Sequence, residues 1–201
     1  MAIDINVLIA WGAAYKQYKK GDFIFREDNT AHFYHQLEVG TVKMINCNEQ
    51  GKEFIQGIFN SGESFGEPPL FYDGTYPADA VAETDCTVLR LNKTTFFEVL
   101  KDLPDALMAI TLNLAKRLQN KAIVSRELAC FDPEHRILTI FELTRQKGNL
   151  SLEDGRIKIP YTRQQIADMT GLRVETVIRT IRILENKNMV TIKNGKVYLN
   201  L

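Results

Sequence analysis

The chain has 201 residues, 45% of them hydrophobic and 25% charged, with 25 basic side chains balanced by 25 acidic ones. These values fit an ordinary soluble protein of one or two domains. No apolar run approaches the ~20 residues that a membrane span needs. Met1 to Ile9 carries Asp4 where a secretion signal would have a basic start, so a cytoplasmic protein without membrane association is expected. Cys47, Cys86 and Cys130 are far apart and lack the close pairing of a zinc or iron-sulfur knuckle. Each is expected as a lone buried or half-buried thiol, with a redox role as the lesser alternative. From Asp132 onward there are 12 Lys and Arg against 8 Asp and Glu, leaving 13 against 17 in the first 131 residues, so basic character gathers in the C-terminal part.

Up to about Leu91 the chain reads as strands and turns. Phe23–Phe25, Phe33–Leu37, Gly40–Ile45, Glu53–Ile58 and Cys86–Leu91 are short β-prone runs. Gly21, Gly40, Gly51, Gly62 and Gly74 punctuate them as turns do. This pattern predicts an antiparallel barrel or jelly roll, cupin-like, whose interior either closes around a small ligand or is solid. Asn92 or Thr94 starts a short helix through Leu100, and Leu103-Pro104 breaks the chain before a second helix that runs to about Leu128, roughly 25 residues or about 37 Å. So long a helix in so small a chain needs a partner along its length. Leu107, Thr111, Leu114, Leu118, Lys121, Ser125 and Leu128 step by four and three, which predicts a parallel homodimer whose seam is carried by Leu107, Leu114, Leu118 and Leu128. The alternative is a helix lying across its own barrel. Polar seam positions would leave such a pair adjustable.

A hinge is expected around Cys130 to Asp132, and Asp132 then caps a helix with Pro133 in its first turn and Ile137, Ile140, Phe141 and Leu143 on its apolar side. Gly148 to Gly155 reads as a loop and Ile157 to Pro160 as a short strand. Thr162 with Gln165 three residues later is a capping box, so a helix should run from about Arg163 to Met169 with Ile166 and Ala167 inward. Gly171 permits a tight turn into a second helix, about Val174 to Asn186, with Val177, Ile181 and Leu184 on its buried stripe. Val190–Lys193 and Lys196–Leu199, joined by Asn194-Gly195, form a hairpin with a two-residue turn. The predicted fold class is therefore α+β: the barrel in residues 1–103, the dimerisation helix and hinge in 104–131, and a winged helix-turn-helix in 132–201.

A helix-turn-helix places its second helix in the major groove of DNA. Glu175, Ile178, Arg179 and Arg182 follow the i, i+3, i+4, i+7 rule and project together. Arg can donate two hydrogen bonds to guanine and Glu can accept one from cytosine, so Glu175, Ile178, Arg179 and Arg173 are the candidate base-reading residues. Thr162, Arg163, Thr176, Arg182, Lys193 and Lys196 are the candidate backbone contacts. Helix-turn-helix patterns also occur as plain packing units. A ligand-binding barrel whose winged helix contacts protein is the competing class. No Ser-His-Asp order, glycine-rich nucleotide loop or metal spacing is present, so an enzyme is not expected.

The order barrel, long helix, hinge and winged helix resembles the bacterial CRP/FNR transcription regulators, named for the cyclic-AMP receptor protein and the fumarate and nitrate reduction regulator. The resemblance covers nearly the whole chain. It is carried by Tyr18 to Asp22, Gly40-Thr41-Val42, Gly51-Lys52-Glu53, Gly62 to Glu67, Leu70-Phe71, Thr162 to Gly171, and Glu175-Thr176-Val177 followed by Arg179. It implies a homodimer on an inverted-repeat promoter site, control by a small effector in the barrel, and RNA polymerase as a partner. In cyclic-nucleotide-binding members a Gly-Glu is followed ten residues later by Arg and then Ser or Thr. Here Gly66-Glu67 is followed by Pro77 and Ala78, which supply neither cation nor hydroxyl. The adenine-contacting positions correspond to Lys121 and Ala122. Glu67, Pro77, Ala78, Lys121 and Ala122 thus mark an effector pocket in which cyclic AMP is disfavoured; Lys121 would there meet an anionic effector or a carboxylate of the partner subunit. The oxygen-sensing branch holds its iron-sulfur cluster with N-terminal cysteines, and none precedes Cys47, so that cofactor is disfavoured as well. Haem stays open through His32 and His35. The pair Val174-Glu175 is typical of the oxygen-sensing branch and implies a TTGA-type half-site, with Ile178 where that branch has Ser.

Overall fold

The computed structural model describes residues 3–146, 152–153 and 155–200. The chain divides into two compact units, Met1–Arg117 and Leu118–Leu201. In the first, α1 (Ile5–Ala10) is opened by Asp4, whose carboxylate accepts from the amides of Asn6 at 2.8 Å and Val7 at 3.3 Å. Eight strands follow: β1 (Ala14–Tyr18), β2 (Phe23–Phe25), β3 (Phe33–Val39), β4 (Thr41–Cys47), β5 (Glu53–Asn60), β6 (Ser64–Phe65), β7 (Asp79–Ala82) and β8 (Cys86–Asn92), with α2 (Pro68–Phe71) between β6 and β7. They pair antiparallel in two sheets of order β1-β8-β3-β6 and β2-β7-β4-β5, the jelly-roll arrangement expected for this half. Each sheet turns one face inward, and Phe25, Leu37, Val42, Met44, Phe65, Tyr76 and Val88 meet in a common core. That pooling is how sheets with one apolar face are stabilised. Outside the barrel, Tyr34 of β3 stacks on Phe96 at 4.7 Å, which seats α3 (Lys93–Asp102); its N-cap is Asn92, accepting from the Thr94 amide.

Five elements of this unit escape the periodicity argument: α1, β1, β6, α2 and β7. β1 is exposed at four of its five positions and shows no apolar alternation, because it is an edge strand held by its ladder with β8 from Ala14↔Arg90 to Tyr18↔Cys86. β7 is short and small-sided, and is a strand because it pairs on both sides, with β2 and β4. Helix α1 is only six residues long. The thiols also depart from expectation: Cys86 is buried, but Cys47 and Cys130 are exposed, being the last residues of β4 and α4.

Helix α4 (Pro104–Cys130) has 27 residues. In the first unit Ile110 is buried and Leu114 half-buried against the barrel core, whereas Leu107, Met108 and Leu112 are exposed. Farther on Leu118 is 72% exposed, and Leu128 lines a small cleft of the second unit with Met169 and Thr170. The expected leucine seam is therefore split. Leu107 and Leu118 stand out with Met108, Leu112, Ala115 and Ala122, while Leu114 and Leu128 are turned into their own units. The drift of a straight helix from a strict heptad is only about 20° per seven residues, so Leu107 and Leu114 differ because the barrel core covers the helix at Leu114 and not at Leu107.

The second unit adds α5 (Pro133–Gln146), β9 (Leu152–Glu153), β10 (Arg156–Lys158), α6 (Arg163–Thr170), α7 (Val174–Asn186), β11 (Val190–Lys193) and β12 (Lys196–Leu199). Asp132 accepts from the His135 amide at 3.1 Å as the cap of α5. Ile137 and Phe141 of α5 are fully buried with Ile159, Ile166, Ala167, Val177, Ile181, Leu184, Val190 and Val197. A four-stranded sheet of order β11-β12-β10-β9 closes this core. Part of the expected Gly148 to Gly155 loop lies outside the described residues; within it, Leu152 and Glu153 pair with Ile157 and Arg156 as strand instead of loop.

Candidate nucleic-acid interface

The interface is built on α6, α7 and the β11–β12 hairpin. Thr162 accepts from the Gln165 amide at 3.1 Å, and Gln165 Oε1 accepts from the Thr162 amide at 2.9 Å. Both halves of the capping box are thus formed, satisfying two donors that a helix start otherwise leaves unpaired. Gly171 ends α6 at φ 68°. This left-handed conformation is costly for a residue with a Cβ and free of steric penalty for glycine. The turn leads into α7, whose Val177, Ile181 and Leu184 are buried while Arg173, Glu175, Ile178, Arg179 and Arg182 are exposed. One surface of the helix thereby becomes the core contact, and the opposite one carries three guanidiniums and one carboxylate.

The wing is fixed to the same helix. Glu185 Oε1 accepts from the Ile192 amide at 2.9 Å, and the Met189 amide donates to the Leu184 carbonyl at 3.0 Å. Asn194 and Gly195 have φ of 50° and 74°, the two positive values that a type I′ turn requires. Lys193 and Lys196 face each other across the ladder at its tip. Both side chains are exposed.

Two expected backbone contacts are half-buried, and one of them changes character. Arg163 is half-buried; burial pushes its guanidinium below the usual arginine range, and the Glu185 carboxylate opposes that shift. It has an internal electrostatic partner because it opens α6 on the side of α7 that braces the wing. Thr176 is half-buried as well, between Glu175 and the core residue Val177.

In the barrel, Glu67 is 1% exposed, and Arg117 of α4 donates to its two oxygens at 3.0 and 2.9 Å. Arg117 also donates to the Ser64 carbonyl at 2.6 Å and lies over the Phe59 ring. Sequence reasoning missed Arg117. The only hint was chemical: a buried carboxylate needs a cation, and nothing in the chain says which of 25 bases supplies it. Pro77 is exposed and its carbonyl accepts from Asn46, while Ala78 is buried. Lys121 and Ala122 belong to the second unit.

Of the two histidines considered for haem, His32 is exposed and His35 is 3% exposed. The His35 ring lies among Phe25, Phe33, Phe65 and Tyr76, with centroids 5.4 to 6.5 Å away. Burial first, then the charges of Arg90 and Lys16, pull its pKa down to about 3. The Phe25 and Tyr76 rings stack at 3.6 Å, and a Cβ on Gly66 would come within 2.8 Å of Phe25. This part of the barrel interior is therefore filled by side chains. Among the described residues no group of three or more His, Cys, Asp or Glu is placed to hold a metal ion, and no helix is long and apolar enough to cross a membrane.

An effector-type barrel followed by a winged helix with an arginine-bearing outer face defines a DNA-binding transcription regulator. Residues 15–102 match the cyclic nucleotide-binding domain and residues 135–200 the Crp-like helix-turn-helix domain. The chain is 33% identical over 166 residues to the cAMP-activated global transcriptional regulator CRP of Haemophilus influenzae, covering 82% of this chain and 73% of that one. It is 30% identical to the corresponding Escherichia coli regulator over 177 residues, 87% and 84% of the two chains. The c-di-GMP responsive global regulator CLP of Xanthomonas campestris superposes with a TM-score of 0.78 at 23% identity, covering 98% and 99%. The chain belongs to the CRP/FNR family of transcription regulators.

Proposed function

We propose that this protein acts in the cytoplasm as a homodimer on inverted-repeat promoter DNA and works there with RNA polymerase. One α6–α7–hairpin head from each protomer reads a half-site. Glu175 accepts from a cytosine amino group, Arg179 donates to guanine O6 and N7, and Arg173 reads a further base. Thr162, Thr176, Arg182, Lys193 and Lys196 hold phosphates and set the register. The observation that carries this reading is the division of α7, with Val177, Ile181 and Leu184 in the core and Glu175 and Arg179 in solvent. Two heads related by a two-fold axis sample half-sites about one DNA turn apart, which multiplies the specificity of a single helix. The exposed apolar line Leu107, Met108, Leu112 and Leu118 supports pairing through α4. A monomeric mass at micromolar concentration would contradict the dimer.

The barrel, in this proposal, senses a small effector other than cyclic AMP. A cyclic phosphate needs a cation and hydroxyl or amide donors, and Pro77 and Ala78 provide neither cation nor hydroxyl. Glu67 is already engaged at both oxygens by Arg117. The fold does not choose the effector, since a cAMP-activated and a c-di-GMP responsive regulator both share it. Saturable calorimetric binding of cyclic AMP at micromolar concentration would overturn this part. The DNA reading is tested by selection from a randomised duplex pool, followed by titration of wild type and Arg179→Ala on the recovered site and on random DNA. Enrichment of a palindrome and a loss confined to the specific site are expected. A module used only for protein contact enriches no palindrome.

A further inference from the structure

The outer face of α7 carries, in its turn-proximal half, an exposed aliphatic side chain that the core does not use. Ile178 is 41% exposed, one residue after the buried Val177 and three before the buried Ile181. It follows Glu175 by three residues and precedes Arg182 by four, so it sits on the same helical face, with Arg179 next to it. Ile183, also partly exposed, comes after Arg182 in the C-terminal half of the helix, away from the turn that leads into α7. A large aliphatic group in water gains free energy only by covering apolar surface. The major groove offers a single apolar group of that kind, the C5-methyl of a pyrimidine; every other edge atom there that distinguishes bases is a hydrogen-bond donor or acceptor.

We infer that Ile178 reads a pyrimidine C5-methyl next to the base pairs contacted by Glu175 and Arg179. Side chains three apart on a helix have Cβ atoms about 5–6 Å apart, so the methyl lies within one or two base pairs of the cytosine that Glu175 contacts. Two bases present this group, thymine and 5-methylcytosine. The inference rests on α7 being the recognition helix of the proposed DNA reader.

The experiment uses the full chain and the duplex recovered by selection. Each thymine is replaced singly by deoxyuridine, which keeps its pairing and loses only the methyl, and each cytosine singly by 5-methylcytosine. Affinities are measured for wild type and Ile178→Ala, an exposed position whose truncation leaves the core intact. At one position per half-site, deoxyuridine should weaken wild type by about fourfold, the worth of one buried methyl, and should leave Ile178→Ala unchanged. A gain of similar size on 5-methylcytosine, lost in Ile178→Ala, assigns the methyl to modified cytosine instead. Equal affinity of wild type across all substituted duplexes overturns the inference, as does a deoxyuridine penalty that persists in full in Ile178→Ala. If the pool enriches no palindrome, the recognition-helix reading itself has failed; a palindrome that is indifferent to methyl groups removes only the role of Ile178.

Discussion

Removal of the Arg117 guanidinium tests how the barrel tolerates its buried acid. Arg117→Leu retains an aliphatic group near Phe59 but deletes two bonds to Glu67 and one to the Ser64 carbonyl. Glu67 stays at 1% exposure with no countercharge. Breaking a buried pair from one side costs about 3–5 kcal/mol, and the 31% exposure of the Arg117 side chain favours the lower end, about 3 kcal/mol. Trp11 is the single tryptophan and packs on the barrel core, so its fluorescence reports unfolding of this unit during urea titration. With an m value of about 2 kcal/mol/M, the midpoint should fall by about 1.5 M. Arg117→Lys should fall less, because an ammonium keeps a countercharge for Glu67, but it should not match wild type, since it cannot reproduce the fork of a guanidinium. Glu67→Gln combined with Arg117→Leu should recover about half of the loss, since a buried amide costs less than a buried charge. A midpoint shift below about 0.5 M for Arg117→Leu, or a double variant no more stable than the single one, would refute the account.

The acid response of the barrel follows from His35. Its folded pKa is pulled from 6.5 down to about 3, so the unfolded chain binds more protons between those values; stability present above about 6.5 is lost as pH falls, by about 1.4 kcal/mol per unit. Urea midpoints between pH 7 and 4.5 should decline more steeply for wild type than for His35→Phe, and parallel curves would contradict this. Gly171→Ala should lower the melting point of the second unit, followed by circular dichroism, by the equivalent of about 1–2 kcal/mol. The nearest atom to an added Cβ there is Leu128 Cδ2 at 3.9 Å, so the cost is conformational and Gly171→Asn should be milder. Lys193→Ala should weaken binding equally on specific and random duplexes and reduce the salt slope by about one; a loss confined to the specific sequence would make Lys193 a base contact.

The DNA-binding half was legible where local chemistry is decisive. Thr162 and Gln165, Gly171, and Asn194-Gly195 act through neighbours within a few residues, and the helices and hairpin stand where those signals put them. The apolar stripe of α7 is likewise periodic, so burial of Val177, Ile181 and Leu184 and exposure of Glu175 and Arg179 could be read in one pass. The barrel was legible only in part. β1 is polar and β7 small-sided, and each is strand because a distant partner, β8 or β4, completes its hydrogen bonds.

By itself the sequence determined the α+β class, the order of modules and the face of α7 that stays in solvent, because those depend on periodicity and on turn residues acting locally. The departure at Pro77 and Ala78 was equally plain, since it is a matter of residue type. Only tertiary structure decided that Arg117, 50 positions away, neutralises Glu67, that His35 sits uncharged among aromatic rings, that Arg163 answers Glu185, and that Leu114 and Leu128 are covered within their own units. Each of these is set by long-range packing, which no spacing along a single chain encodes.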